Sequence, residues 1–201
     1  YTDSIGNFFI KEGLDVWALG LSNAISGDIR LLAEEDLFTA IKFISSHKKE
    51  KVRIITHSMG GIIARILVSD QFVHPYSVND VIEMINGITL LSAPNHGLKP
   101  PQFDKIKNFY SRMKIHFNFE PDILTSFPFS LNKAFFQLVS SSDLIKTLNA
   151  PKKCLNPRIR WQNGIGTKDN IVPVSSARFS HYELPEGLQF DQREFPCDHM
   201  V

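Results

Sequence analysis

Apolar residues change their spacing several times along this chain, and each change predicts an element. Ile5, Phe8 and Phe9 fall on one side of a helix over Tyr1–Gly13, with Gly13 as its stop. Leu14-Asp15-Val16-Trp17-Ala18-Leu19 is apolar at nearly every position and reads as a strand. Gly20–Arg30 is polar and loop-like, with Ser22, Asn23, Ser26, Gly27 and Asp28. Leu31–His47 is the clearest helix: Leu37, Phe38, Ile41 and Ile44 form its buried stripe, and Glu34, Glu35 and Asp36 suit its early turns. Val52–Ile55 is a short buried strand. After it the period turns helical, with Ile62, Ile63, Ile66 and Leu67 on one face and Arg65 pointing elsewhere. A polar link through Pro75 and Asn79 leads to the strand Ile88–Leu91; Ile159–Gln162 begins another, and Leu188–Phe195 is a weaker one.

The junction between the Val52–Ile55 strand and the following helix holds the chemistry. His57-Ser58-Met59-Gly60-Gly61 leaves no room for a loop, so the backbone must turn sharply with Ser58 at the apex. Such a turn tolerates only small neighbours, and Gly60 and Gly61 supply them. It lifts the Ser58 hydroxyl clear of the sheet and places the Met59 N–H at a helix N-terminus beside it. The stretch resembles the nucleophile elbow of the α/β-hydrolase family, and His-Ser-Met-Gly-Gly is most similar to its lipase and esterase members. The family pattern is G-x-S-x-G; here Thr56 stands in place of the first Gly and crowds the elbow slightly more. The resemblance implies a mostly parallel sheet with helices on both faces and a small helical cap.

Composition narrows the setting without changing the picture. The 201 residues are 43% hydrophobic and 21% charged, which is ordinary for a globular protein. At this size folding buries roughly 70% of the unfolded chain's surface, enough for one domain carrying an insertion. A net charge of +1 with no basic stripe argues against a nucleic-acid partner. The cationic run His47-Lys48-Lys49-Glu50-Lys51 reads as a solvated helix end. Two cysteines, Cys154 and Cys197, leave both their pairing and the redox compartment open. No apolar run approaches the roughly 20 residues of a membrane span. The chain starts at Tyr1 with no Met and no signal peptide, so localisation is open.

The resemblance implies partners for Ser58. Gly164-Ile165-Gly166-Thr167-Lys168-Asp169-Asn170-Ile171-Val172-Pro173 is close to the family's Gly-x-x-Asp-x-x-Val-Pro signature, which makes Asp169 the acid, with Asp191 and Asp198 as alternatives. The other family position for the acid holds Asn95. Asp198-His199-Met200 follows the last strand and makes His199 the base, preferred over His181; His96, in the Ser92–Gly97 turn, reads as structural. The order Ser58, Asp169, His199 is that of the fold. Met59 then supplies one backbone donor of the oxyanion hole, and the chemistry implies no cofactor and no metal.

Residues 98–157 carry Phe103, Phe109, Tyr110, Phe117, Phe119, Phe127, Phe129, Phe135 and Phe136, broken by Pro100, Pro101, Pro121 and Pro128. They are expected to form a cap or lid insertion over a greasy cleft, with residues 1–97 and 158–201 as the hydrolase core. Against the family pattern the chain looks truncated at both ends: the second oxyanion donor, and a central strand between Leu14–Leu19 and Val52–Ile55, would come from outside it. The expected activity is hydrolysis of carboxylic esters, with a lipid or acyl ester as substrate and transient contact with a membrane or lipid interface through the cap. An acyltransferase would use the same three residues. A binding protein that keeps the fold without turnover is the alternative from another class.

Overall fold

The computed structural model describes residues 5–21, 27–99, 101–102, 105 and 133–199. Four strands, β1 (Val52–His57), β2 (Ile85–Leu91), β3 (Trp161–Gly166) and β4 (Phe190–Phe195), pair side by side in that order, all parallel. Parallel neighbours need crossover connections, and helices supply them. Ile54 of β1 stands opposite Ile88, and Leu90 opposite Asn163, so the strand centres are the buried part of the sheet.

The long helical region begins at α2 (Ile29–Leu31), whose first turn is capped by Asp28: its carboxylate accepts from the Arg30 N–H at 3.0 Å. It passes through a π-helical stretch, Leu32–Leu37, into α3 (Phe38–Lys48). Lys49 ends it in a left-handed conformation (φ 57°), and the cationic run beyond is exposed as expected. Ile41 is buried and Leu37, Phe38 and Ile44 are half-buried, with Leu32 and Ala33 extending the stripe toward the N-terminus.

Helix α4 (Met59–Leu67) is buried all round from Gly61 to Leu67. Arg65 therefore does not point to solvent. Its guanidinium donates to the backbone carbonyls of Asn95 (2.9 Å), Leu148 (3.0 Å) and Cys154 (3.2 Å) and to Oδ1 of Asn149 (2.8 Å), and lies 5.1 Å from the centre of the Phe179 ring. Burial pushes its pKa down to about 10. A buried charge is tolerable here because carbonyl dipoles replace its water. The link after Val68 holds a further helix, α5 (Val78–Met84), capped by the Ser77 hydroxyl and buried at Val81 and Ile82.

Two segments depart from expectation. The first helix is confirmed among the described residues as α1 (Ile5–Lys11), but none of its side chains is buried. Among the described residues Leu14–Leu19 is not a strand: it has no regular structure and no sheet partner, with Leu14, Val16, Trp17 and Leu19 exposed. It has no neighbour to pair with among the described residues. Among the described residues β1 is one edge of the sheet.

The C-terminal half adds α6 (Lys133–Leu138), α7 (Asp143–Leu148) and α8 (Val174–Ala177). Residues 99–138 leave and return at one point, where the Leu98 N–H donates to the Leu138 carbonyl (2.8 Å) and the Ser140 N–H to the Leu98 carbonyl (3.0 Å). Phe135 is buried and Phe136 exposed, while Phe103, Phe109, Tyr110, Phe117, Phe119, Phe127 and Phe129 lie outside the described residues. Both cysteines are free; the Cys154 thiol donates to the Glu183 carbonyl at 3.2 Å. Among the described residues no helix is long and apolar enough to cross a membrane.

Candidate active site

In parallel sheets ligands meet the carboxyl ends of the strands, and three loops converge there. The ladder continues past the strand ends and draws them together: the Ser58 N–H donates to the Leu91 carbonyl (2.9 Å), Ser92 to Gly164 (2.9 Å), and Thr167 to Phe195 (2.8 Å). Ser58 follows β1, Asp169 follows β3 and His199 follows β4.

Ser58 joins β1 to α4 with φ 53° and ψ −127°, a conformation that costs a non-glycine residue of order 1–3 kcal/mol. Its neighbours explain how the turn is accommodated. A methyl group at Gly61 would stand 2.4 Å from the Ala93 Cβ and 3.3 Å from Leu90, so α4 reaches the sheet only with glycine there. Gly60 is less constrained, its closest contact being the Thr56 Cβ at 3.5 Å. Thr56 fits in place of the family's first glycine because its side chain fills the room beside these two glycines. Its hydroxyl donates to the Thr89 carbonyl of β2 at 3.0 Å, so it adds an anchor to the elbow.

The Ser58 hydroxyl donates to Nε2 of His199 at 3.1 Å, and Nδ1–H of His199 donates to Oδ2 of Asp169 at 2.7 Å. Asp169 is buried, and its other oxygen accepts from the backbone N–H groups of Ile171 (2.9 Å) and Val172 (2.8 Å). Burial opposes its ionisation, but the hydrogen bonds from His199 and the two amides outweigh burial and hold the carboxyl below its ordinary range. The carboxylate thus fixes which imidazole nitrogen carries the proton. The other nitrogen is left to accept from Ser58.

Gly166 lets the two loops cross: a Cβ there would meet the Cys197 carbonyl at 2.9 Å and the Asp198 carbonyl at 3.2 Å. Gly164 likewise faces Leu91 at 3.0 Å, and neither glycine has a positive φ. Their role is close approach between segments of the chain and not a left-handed turn conformation. The Lys168 N–H then ties the Asp169 turn to the Cys197 carbonyl at 3.0 Å.

The other candidates lie apart. Asp191 is exposed on β4 and pairs with Arg193 at 3.0 Å; Asp198 and His181 are also exposed. His96 donates from Nε2 to the Arg178 carbonyl at 2.9 Å and has the structural role expected of it. Asn95 is fully buried, its amide donating to the Ala177 carbonyl at 2.7 Å. Met59 is the first residue of α4, where N–H groups have no partner within the helix and the dipole favours negative charge. One residue escaped the sequence reading. Nε2 of His57, the residue before Ser58, donates to the backbone carbonyl of His199 at 2.6 Å. No cluster of three or more His, Cys, Asp or Glu suited to a metal occurs among the described residues.

The model of the PGAP1-like alpha/beta domain family matches residues 24–153, a span that includes Ser58 and stops short of Asp169 and His199. No curated protein matches the sequence. Among solved structures, lipase B of Aspergillus fumigatus superposes with a TM-score of 0.59 at 15% identity, over 87% of this chain and 36% of that one. Serine hydrolase CCSP0084 from the polyaromatic hydrocarbon-degrading bacterium Cycloclasticus zankles gives 0.56 at 16% identity, over 91% of this chain and 68% of that one. The mature BlEst2 lipase of Bacillus licheniformis gives 0.51 at 16%, over 83% and 68%. These likenesses show the α/β-hydrolase fold. This chain spans 36% of the length of the fungal lipase.

Proposed function

Because this chain belongs to the PGAP1-like alpha/beta domain family and has the α/β-hydrolase fold, we propose that it is a serine hydrolase of carboxylic esters. The observation that carries this reading is the continuous hydrogen-bonded path from Ser58 through His199 to Asp169 at the carboxyl ends of β1, β4 and β3 of one parallel sheet. Ser58 attacks the ester carbonyl as Nε2 of His199 takes its proton. Asp169 keeps the imidazole in the accepting tautomer and stabilises the imidazolium without taking the proton itself. The Met59 N–H donates to the oxyanion, a contact whose loss typically costs around 10²–10³ in rate. His199 then protonates the departing alcohol, and water repeats the sequence on the acyl-enzyme to release the acid and regenerate Ser58.

Within residues 98–157, the part between Leu98 and Val139 acts in this reading as the cap over the site, while Leu144, Ile145, Leu148 and Leu155 pack in the main core with the body. Support comes from the narrow neck at Leu98 and Val139, and from Gln137 and Lys133, which bind the Asp28 carboxylate at the start of α2. The aromatic content of the cap and the lipases among the structural neighbours favour a lipid or acyl ester, bound in part at an interface.

The test is covalent labelling of the full-length protein with a fluorophosphonate, alongside hydrolysis of p-nitrophenyl esters of increasing chain length. Ser58→Ala should abolish labelling and lower kcat on the order of 10⁶-fold with melting unchanged. Equal labelling of the two proteins would overturn the assignment. Adding an acceptor alcohol separates hydrolysis from transfer: a new ester product in place of the acid would identify an acyltransferase.

A further inference from the structure

We infer that His57 is a positioning residue that fixes the backbone of His199 relative to Ser58. Its place in the chain makes this feasible: His57 is the last residue of β1, so its backbone is set by the sheet, opposite Leu91 of β2. The Nε2···O distance to the His199 carbonyl is 2.6 Å, short for a hydrogen bond from nitrogen, and the two rings lie 4.6 Å apart at 49°. A carbonyl can only accept, so His57 carries its proton on Nε2 and acts as a donor here.

Two adjacent residues thereby grip one. Ser58 meets the ring of His199 and His57 meets its main chain. The loop after β4 is tied to the Asp169 turn at Cys197, two residues before His199. The ring must still keep Nε2 on the Ser58 hydroxyl and Nδ1–H on Asp169 at the same time. A loop held at Cys197 can tilt about that point, and holding the His199 carbonyl removes the tilt. Displacement of a catalytic group by about 1 Å can cost 10²-fold in rate.

His57 is exposed, so its replacement opens no core cavity and the fold should survive. Exposure beside Ser58 also allows a different role, direct contact with the substrate, which the kinetics distinguish. The inference rests on the proposed triad, so its test includes a readout independent of turnover.

The experiment compares His57→Leu, which keeps bulk and removes the donor, with His57→Gln, whose amide can donate from a similar position. Kinetics on a p-nitrophenyl ester and fluorophosphonate labelling rates are measured in the full-length protein. The far-downfield proton resonance of the His199–Asp169 hydrogen bond is followed in parallel. His57→Leu should lower kcat about 10- to 100-fold with KM within about twofold, slow labelling to match, and broaden or erase the resonance. His57→Gln should recover most of each. Unchanged kinetics and resonance in His57→Leu, a change confined to KM, or equal damage in both variants would overturn the inference. If His57→Leu does not fold, His57→Ala against His57→Gln makes the same contrast. A wild-type protein without esterase activity or labelling would remove the proposed function, and the resonance would still decide whether His57 holds His199.

Discussion

Leu14–Leu19 and Val52–His57 are of equal length and the first is the more apolar, yet it is the second that the sheet buries. In the second stretch the backbone groups pair with β2, and Ile54 is 7% exposed against Ile88. The first has Leu14 56% and Trp17 47% exposed. What holds it is local and superficial: Trp17 lies edge-on to Phe43 at 6.1 Å, and Lys48 pairs with Asp15 at 2.5 Å and hovers over the Trp17 ring. Surface pairs of this kind, screened by water, contribute little. A strand is made by the neighbour that accepts its N–H and C=O groups, and apolar residues without such a neighbour remain an exposed surface. Changes at the end of β1 and in the loops it meets should therefore be costly, and changes in residues 14–19 cheap.

The largest effect expected from this contrast lies at the acid beside the elbow. Asp169→Asn would let an amide donate to Nδ1 of His199, leaving the proton on Nε2, where Ser58 needs an acceptor. A loss of about 10⁴-fold in kcat is expected, measured on the same p-nitrophenyl esters. Acid stability gives a second readout. The folded carboxyl titrates below its unfolded value of about 3.9. Its contribution is therefore complete above about pH 4 and is lost as pH falls through the folded value. Melting temperature between about pH 4 and pH 2 should fall more steeply for the wild type than for Asp169→Asn. Parallel curves would show that the carboxylate does not stabilise the fold.

Next in size is the packing that lets β1 turn into α4. Gly61→Ala places a methyl 2.4 Å from the Ala93 Cβ, a backbone-anchored contact that cannot rotate away. Overpacking of this kind costs typically 1–3 kcal/mol, readable by urea denaturation. The helix should also shift Met59 and slow labelling of Ser58. Gly60→Ala, with 3.5 Å to its nearest neighbour, is the control and should cost about 1 kcal/mol or less. Equal effects at the two glycines would undo the packing account of the elbow.

The same contrast marks what could be read from the sequence. The elbow was legible because strand, apex and helix are contiguous, with only His57 to Gly61 between the β-branched run and the helical one. The order of Ser58, Asp169 and His199 was legible through the resemblance, and the structure brings these three side chains together. Where Arg65 points was not legible because what receives it lies far along the chain, in carbonyls at Asn95, Leu148 and Cys154. His57 was missed for the same reason: its acceptor is 142 residues away. The α5 helix had a local signal that was passed over, Ser77 three residues before Asp80, the capping pattern of a helix start. The need for Gly164 and Gly166 is for space against Leu91, Cys197 and Asp198, which only the assembled sheet creates.

The smallest effect tests the cheap side of the comparison. Trp17→Ser removes a large aromatic side chain, which in a core would cost about 3–5 kcal/mol. Here nearly half of the residue is already in water, and its partners are the exposed Phe43 and a lysine. Substitutions at such surface positions usually fall within about 0.5 kcal/mol. The expected change in urea midpoint is correspondingly slight, with the denaturant slope unaltered and esterase activity retained. A loss above about 1.5 kcal/mol would mean that Trp17 is covered in solution, and that the segment from Leu14 to Leu19 has found the neighbour it lacks among the described residues.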